Sequence, residues 1–259
     1  MKDKPRLIIS NKRIENLEND KLELSSEEKH YLNKVMRVKT GDEIFIVNGK
    51  GYLWKGIKKE VNFIKIIDLK NPILFKEKET LLLGIAISLP KSGFEDILKM
   101  CTEIGIDIIQ PLYSEHQVKK ISNNKVKMNR WDSIINESVE QCERLWKPEL
   151  LNTLNVYEWI SNRIKNEIIS ISVTRDINSI SLNTWLKKQT FSINEKTILW
   201  NVIGPEGGWS KKELIFFKEK KIQFIKLSES ILRTSTAAIN ATSILTQWRN
   251  SKMCTFNNL

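Results

Sequence analysis

The rhythm of apolar and polar positions changes about a third of the way along the chain. Residues 43–69, EIFIVNGKGYLWKGIKKEVNFIKIIDL, alternate in character, and Asn48-Gly49 interrupts the runs. That is the pattern of antiparallel strands joined by a tight turn. Upstream, Arg6–Ser10 reads as a short strand, and Ser25 with Glu28 has capping-box spacing. The helix so opened is expected to carry Tyr31, Leu32, Val35 and Met36 on one side and Lys29, His30, Lys34 and Arg37 on the other. A small β-rich unit over residues 1–73, ending near Asn71-Pro72, is the reading of this part.

From about residue 80, continuous apolar runs alternate with helical patterns. LLLGIAISL, IDIIQPLY, EIISISV, TILWNVI and IQFIKL are strand candidates without polar alternation. Strands of that kind lie in a parallel sheet covered on both faces. Between them, Ser92 and Glu95 are expected to cap a helix stopped by Gly105, and a long helix is expected over Met128–Trp146. Asn155 and Glu158 open another helix, and residues 235–249 form the last one. Residues 74–259 therefore read as an α/β domain.

At the end of TILWNVI the chain enters GPEGG, Gly204 to Gly208, followed by Ser210 and Glu213 at capping-box spacing. This is a strand, a tight loop and a helix N-terminus. A phosphate loop needs GxxxxGK[ST] and a dinucleotide fingerprint needs GxGxxG, and GPEGG supplies neither. Glu206 would repel a phosphate, so a ligand with hydroxyls, an adenine edge or a positive charge suits the loop better. A turn with purely geometric glycines is the alternative. Arg233 is the second unusual position, because it precedes a helix N-terminus where the macrodipole disfavours a cation. An anionic partner is expected there, either a carboxylate such as Glu206 or Glu229, or a substrate phosphate.

Composition narrows the partners. The 42 Lys plus Arg against 31 Asp plus Glu give a formal charge of +11, which favours a polyanion, with nucleic acid ahead of an acidic membrane. Three dispersed cysteines without CxxC spacing argue against a disulfide framework or a structural zinc, and only two histidines, His30 and His116, are available for any metal site. No metal is expected. The longest apolar stretch, Leu81–Leu89, is too short to span a bilayer, and a cytoplasmic protein without membrane association is expected.

Four stretches carry a resemblance in order: LPKSGFEDILKMCTEIGIDIIQPLYSEH, ESVEQCER, IGPEGGWSKKE and LSESILRTSTAAI. Together they resemble the RsmE family of small-subunit ribosomal RNA uridine-N3 methyltransferases, in the SPOUT superfamily. HYLNKVMRVKTGDEIFIVNG is similar to that family's PUA-like RNA-binding domain. The resemblance implies a trefoil-knotted α/β domain, a homodimer, and S-adenosylmethionine held by three loops. These would be Val173 and Thr174; Ile203, Gly204, Pro205, Glu206, Gly207 and Gly208; and Leu227, Ser228, Ile231, Leu232, Thr234, Thr236 and Ala237. The substrate would be small-subunit (16S) ribosomal RNA or the assembled subunit. Arg233 would stabilise the uracil anion or grip phosphate, and His30, Lys34, Arg37 and Arg144 would contact RNA. Glu140 and Gln141 would line the dimer interface or the RNA cleft, helix capping or solvent exposure being the alternative. Two positions depart from the family pattern: Ser235 replaces a common glutamate, and Met100, beside Lys99, replaces a lysine. A SPOUT enzyme acting at another RNA position, and a non-catalytic RNA-binding assembly factor, are the other readings; the latter would not need the glycine loop.

Overall fold

The computed structural model describes residues 4–117, 125–163, 167–176, 178–190 and 196–256, with side chains up to Lys252. The chain divides into two compact units, the first containing residues up to Lys78 together with Asn136–Lys147. No helix among the described residues is long and apolar enough to cross a membrane.

The first unit contains β1 (Arg6–Ile8), α1 (Asn11–Glu15), β2 (Lys21–Glu23), α2 (Ser26–His30), β3 (Glu43–Val47), β4 (Tyr52–Lys58), β5 (Phe63–Ile66) and β6 (Leu74–Phe75). Its sheet runs β1-β3-β4-β5-β2, with β6 also paired to β4. Alternation in β3, β4 and β5 puts Ile44, Ile46, Trp54, Ile64 and Ile66 into one core with Leu22 and Leu32. Asn48 shapes the expected turn: its Oδ1 accepts from the amides of Lys50 and Tyr52.

The capping box at Ser25 forms, with the Glu28 amide donating to Ser25 Oγ and the Ser25 amide to Glu28 Oε2. The helix beyond it differs from the expected stripe. After His30 the backbone widens into a π-turn over Tyr31–Val35, which turns Val35 and Met36 out to solvent while Leu32 stays buried. Arg37 then takes a left-handed φ of 54°, reversing the chain so that the Val38 amide reaches Leu32 O at 2.8 Å.

The second unit contains β7 (Leu81–Ser88), α3 (Phe94–Ile104), β8 (Ile108–Tyr113), the start of α4 (Lys125–Gln141), β9 (Glu149–Leu150), β10 (Leu154–Asn155), α5 (Val156–Arg163), β11 (Ile168–Ser172), β12 (Ile180–Ser181), α6 (Leu182–Lys187), β13 (Thr197–Ile203), α7 (Lys211–Glu219), β14 (Gln223–Lys226) and α8 (Thr234–Phe256). Strand order is β10-β8-β7-β13-β11-β14-β12, with β9 also on β8, and every pairing is parallel. The apolar runs fill its interior, where the Trp200 indole packs edge-on against Trp159 at 5.1 Å. Trp200 also lies against Gly84 on the neighbouring strand: a Cβ there would sit 2.2 Å from the ring, so only glycine fits.

Three helix ends differ from expectation. The N-cap of α3 is Gly93, left-handed at φ 79°, with no side-chain cap; Ser92 lies one residue too early to reach the free amides. Helix α4 stops at Gln141 because Glu143 takes φ 62°, which leaves Leu145 and Trp146 outside the helix. Helix α8 begins at Thr234 and runs to Phe256, past the expected end.

The last turns of α4 belong to the first unit, where Glu140 Oε1 accepts the Ile8 amide at 2.9 Å. Burial pushes the Glu140 carboxyl up from 4.5 to about 7; the Ile8 amide offsets this in part, and Glu137 and Glu28 add to it. The proton is favoured in the folded state, so its stability contribution is complete below pH 4.5 and is lost as pH rises through about 7. Glu140→Gln keeps the acceptor without the charge. Urea unfolding from pH 4.5 to 7.5 should show the natural chain losing about 3 kcal/mol relative to the variant. Parallel curves for the two proteins would contradict this.

Candidate functional site

Strand β11 pairs with β13 on one side and β14 on the other, all parallel, so the chain leaves the three strands along one edge of the sheet. In open parallel sheets, ligands bind outside the carboxyl ends of the strands. The three segments that leave there are Val173-Thr174, Gly204–Gly208 and Leu227–Arg233. The structure thus brings together the residues assigned by resemblance to three cofactor loops, although they lie far apart in sequence.

Side chains lace the three segments together. Trp209 Nε1 donates to Ser172 O at 2.9 Å, joining the glycine loop to the end of β11. Thr234 Oγ1 donates to Gly204 O at 3.1 Å, joining the loop to the first residue of α8. Asn240 Nδ2 donates to Leu227 O at 3.2 Å, holding the third segment to the same helix. The Val173 amide donates to Ile225 O at 2.9 Å.

Within the loop the glycines have separate causes. Gly208 takes φ 72°, and its amide closes a turn onto Pro205 O at 2.9 Å. Gly204 makes room for Trp209, because a Cβ there would lie 3.0 Å from the indole. A Cβ on Gly207 would come 3.3 Å from His116 Cβ. The His116 imidazole Nδ1 is 3.0 Å from Gly208 O, an acceptor only, so this nitrogen carries the proton.

The capping box beyond the loop forms as expected. The Glu213 amide donates to Ser210 Oγ and the Ser210 amide to Glu213 Oε2. Glu213 Oε1 also accepts the Glu115 amide at 2.9 Å, so one buried carboxylate ties the turn after β8 to the start of α7. Hydrogen bonds from Tyr157 and then Ser210 hold the Glu115 carboxyl below its usual range. Burial first, and Glu115 second, push the Tyr157 hydroxyl up to about 12.

Glu206 is exposed, with one oxygen accepting the Lys91 amide at 3.0 Å. Glu229 pairs with Lys226 at 2.6 Å. Neither takes Arg233, which is exposed and has no carboxylate partner among the described residues. Thr174, Gly207, Ile231 and Thr236 are also exposed; Gly204, Gly208, Val173, Leu227, Ser228 and Leu232 are half-buried; Ile203, Pro205, Thr234 and Ala237 are buried. His30, Lys34 and Arg37 lie on one exposed segment of the first unit, and Arg144 in the Asn136–Lys147 segment of that unit.

Sequence reasoning gave no place in the loop site to Trp209, His116, Asn240 or Lys91. Trp209 directly follows the glycines, an overlooked signal, since a large ring there must be housed by a residue without a Cβ. Lys91 acts through its main chain, which carries no residue-type signal.

Residues 77–246 match the RNA methyltransferase domain family, and residues 24–67 match the RNA methyltransferase PUA domain family. Fold, site and this pairing of domains define an RNA methyltransferase with an attached PUA domain. The chain is 36% identical over 242 residues to ribosomal RNA small subunit methyltransferase E of Buchnera aphidicola subsp. Schizaphis graminum, covering 88% of this chain and 90% of the relative. It is 32% identical over 215 residues to the Synechocystis protein of the same name, covering 83% and 69%. The chain belongs to the ribosomal RNA small subunit methyltransferase E family. Its fold is similar to that of a Legionella pneumophila protein solved in complex with the bound cofactor SAM, with a TM-score of 0.79, 25% identity, and coverage of 95% of this chain and 98% of that one.

Gly204→Ala tests the lacing. The added methyl meets the buried Trp209 ring, and overpacking of this kind costs about 1–3 kcal/mol. Chemical denaturation should register that loss, whereas Gly207→Ala, facing only the exposed His116, should unfold close to the natural chain.

Proposed function

We propose that this chain transfers the methyl group of S-adenosylmethionine to N3 of a uridine in small-subunit ribosomal RNA, with Arg233 as the charge-stabilising residue. The observation that carries the proposal is an exposed guanidinium without a carboxylate partner among the described residues, beside three laced loops at the carboxyl ends of adjacent parallel strands.

The residues present fit the cofactor. Gly204–Gly208 offers an open backbone: Gly207 is exposed and the space beyond Gly208 is free. Glu206 stays at the surface with a carboxylate, which suits ribose hydroxyls and a sulfonium and disfavours phosphate. Val173, Thr174, Ile203, Leu227, Ser228, Ile231, Leu232, Thr236 and Ala237 would supply the remaining apolar and hydroxyl contacts. When bound, S-adenosylmethionine supplies an electrophilic methyl. The chain's own part is to hold the uracil ring and lower the energy of its anion. Uridine N3 carries a proton and becomes a good nucleophile only when that proton leaves. The Arg233 guanidinium beside the developing negative charge favours that loss. N3 lies on the pairing edge, so the target must be unpaired or extruded. The reading extends to a homodimer and to a knotted arrangement of the cofactor loops, both implied by the family resemblance.

Comparing N3-methyluridine in ribosomal RNA from cells with and without the gene tests the reaction; identical maps would sink it. For the residue, Arg233→Ala should leave cofactor affinity and thermal stability unchanged, since the side chain is exposed and has no carboxylate partner among the described residues. Single-turnover methylation should fall by about two to three orders of magnitude. Arg233→Lys should restore little, because an ammonium lacks the planar fork. A variant as active as the natural chain would remove Arg233 from the mechanism.

In the first unit, His30, Lys34, Arg37 and Arg144 are the proposed phosphate contacts. Neutralising Lys34 and Arg37 should reduce the slope of log RNA affinity against log salt by about 1.5, because each lost phosphate contact releases fewer counterions. Filter binding at several salt concentrations measures it, and an unchanged slope would make these residues ordinary surface charge.

A further inference from the structure

The first unit has a surface corner that the contacts proposed above do not use. Tyr52 on β4 lies directly across from Phe75 on β6, with ring centroids 4.4 Å apart, and Tyr52 also stacks on Trp54 at 5.6 Å. Trp54 is buried, but Tyr52 is 36% exposed and Phe75 47%. An aromatic row thus starts in the core and ends in solvent. Trp146 joins it from a distant part of the sequence: its Nε1 donates to Lys76 O at 2.8 Å, and the Gly51 amide donates to Leu145 O.

The corner is built, and two glycines build it. Gly51 sits at φ 94°, where a Cβ would lie 2.3 Å from Lys76 O and 3.0 Å from the Trp146 indole. Gly49 sits at φ 66°, and its Cβ would meet Lys147 Cβ at 2.9 Å. Both glycines of the Asn48–Gly51 turn therefore serve to seat the segment that carries Trp146. Lysines adjoin the ring-bearing residues along the chain: Lys50 and Lys76 are exposed, and the Lys78 ammonium lies 5.4 Å from the Trp146 ring centroid. Glu77 and Glu79 alternate with Lys76 and Lys78, and Lys50 adds a further cation from the turn.

We infer that this corner binds single-stranded RNA, with an unpaired base stacking on the Phe75–Tyr52 rings and adjoining phosphates held by Lys50 and Lys78. The inference rests on the proposed action on RNA. Exposed rings give a base an apolar, sequence-tolerant platform, and the collar of cations matches the backbone that must accompany it. Ile73 and Leu74 are exposed nearby, so a second copy of the chain is the competing occupant. The net cationic charge opposes it, because a two-fold contact sets the same patch against itself and would bring Lys50, Lys76 and Lys78 of both copies together.

The test measures binding of the full chain to a short single-stranded oligoadenylate and to a duplex of equal length. Phe75→Ala and Tyr52→Ala should each weaken single-strand binding about tenfold, the scale of one lost base–ring stack. The salt slope should stay unchanged, since a ring releases no counterion, and Phe75→Trp should bind like the natural chain. Lys78→Ala should instead lower the slope by about 0.7. Equal single-strand affinity for Phe75→Ala and the natural chain would overturn the inference. So would a drop in oligomeric mass on sedimentation of Phe75→Ala, which would give the patch to a second copy. Ring-dependent oligoadenylate binding by a chain that methylates no ribosomal RNA would support this surface and sink the functional reading above.

Discussion

Because β11 hydrogen-bonds to β13 on one side and to β14 on the other, three loops from distant parts of the sequence leave the sheet side by side. Everything at the candidate site depends on that shared register. A largely buried polar chain fixes the β11–β13 half of it: Asn201 Nδ2 donates to Ser170 Oγ, Ser170 Oγ to Trp200 O, and Ser172 Oγ to Asn201 Oδ1. A slip of one residue would turn each side chain to the opposite face and strand these groups without partners. Apolar side chains on both faces supply most of the stability. They do not choose a register between near-identical Ile and Val positions, and the serines and the asparagine do.

Much of the fold was legible because the sheet is parallel and doubly covered. Strands of this kind read as unbroken apolar runs, and β7, β8, β11, β13 and β14 fell where those runs are. The capping boxes at Ser25 and Ser210 were legible too, because they depend on two side chains at fixed spacing. Backbone-driven features escaped. Gly93 starts α3 through a left-handed angle, Glu143 ends α4 the same way, and the π-turn at Tyr31–Val35 redirects an apolar stripe. Periodicity assumes a regular helix and is blind to all three. The loop residues of the site were found through family resemblance, while the lacing by Trp209 and Asn240 depends on tertiary contacts that no local pattern encodes.

The surroundings of Arg233 decide between two roles for it. Sequence alone left a carboxylate partner and a substrate as equal explanations for a cation ahead of a helix. In the structure Glu206 is engaged with a main-chain amide and Glu229 with Lys226, so neither neutralises it. A cation just ahead of the N-terminus of a 23-residue helix, without a carboxylate partner among the described residues, is kept at some electrostatic cost. Such a cost is tolerated where an anion arrives during function.

The first compact unit is discontinuous in sequence, closing only when Asn136–Lys147 returns to it. During synthesis this has an order-of-events consequence. The ribosome delivers β1 to β6 first, yet Gly49 and Gly51 have no segment to receive until Lys147 has emerged, after β7, α3, β8 and α4. Domains usually fold in the order they are made. Here the N-terminal one must wait, incomplete at the Tyr52–Phe75 corner, while the strands that open the second sheet are already leaving the exit tunnel.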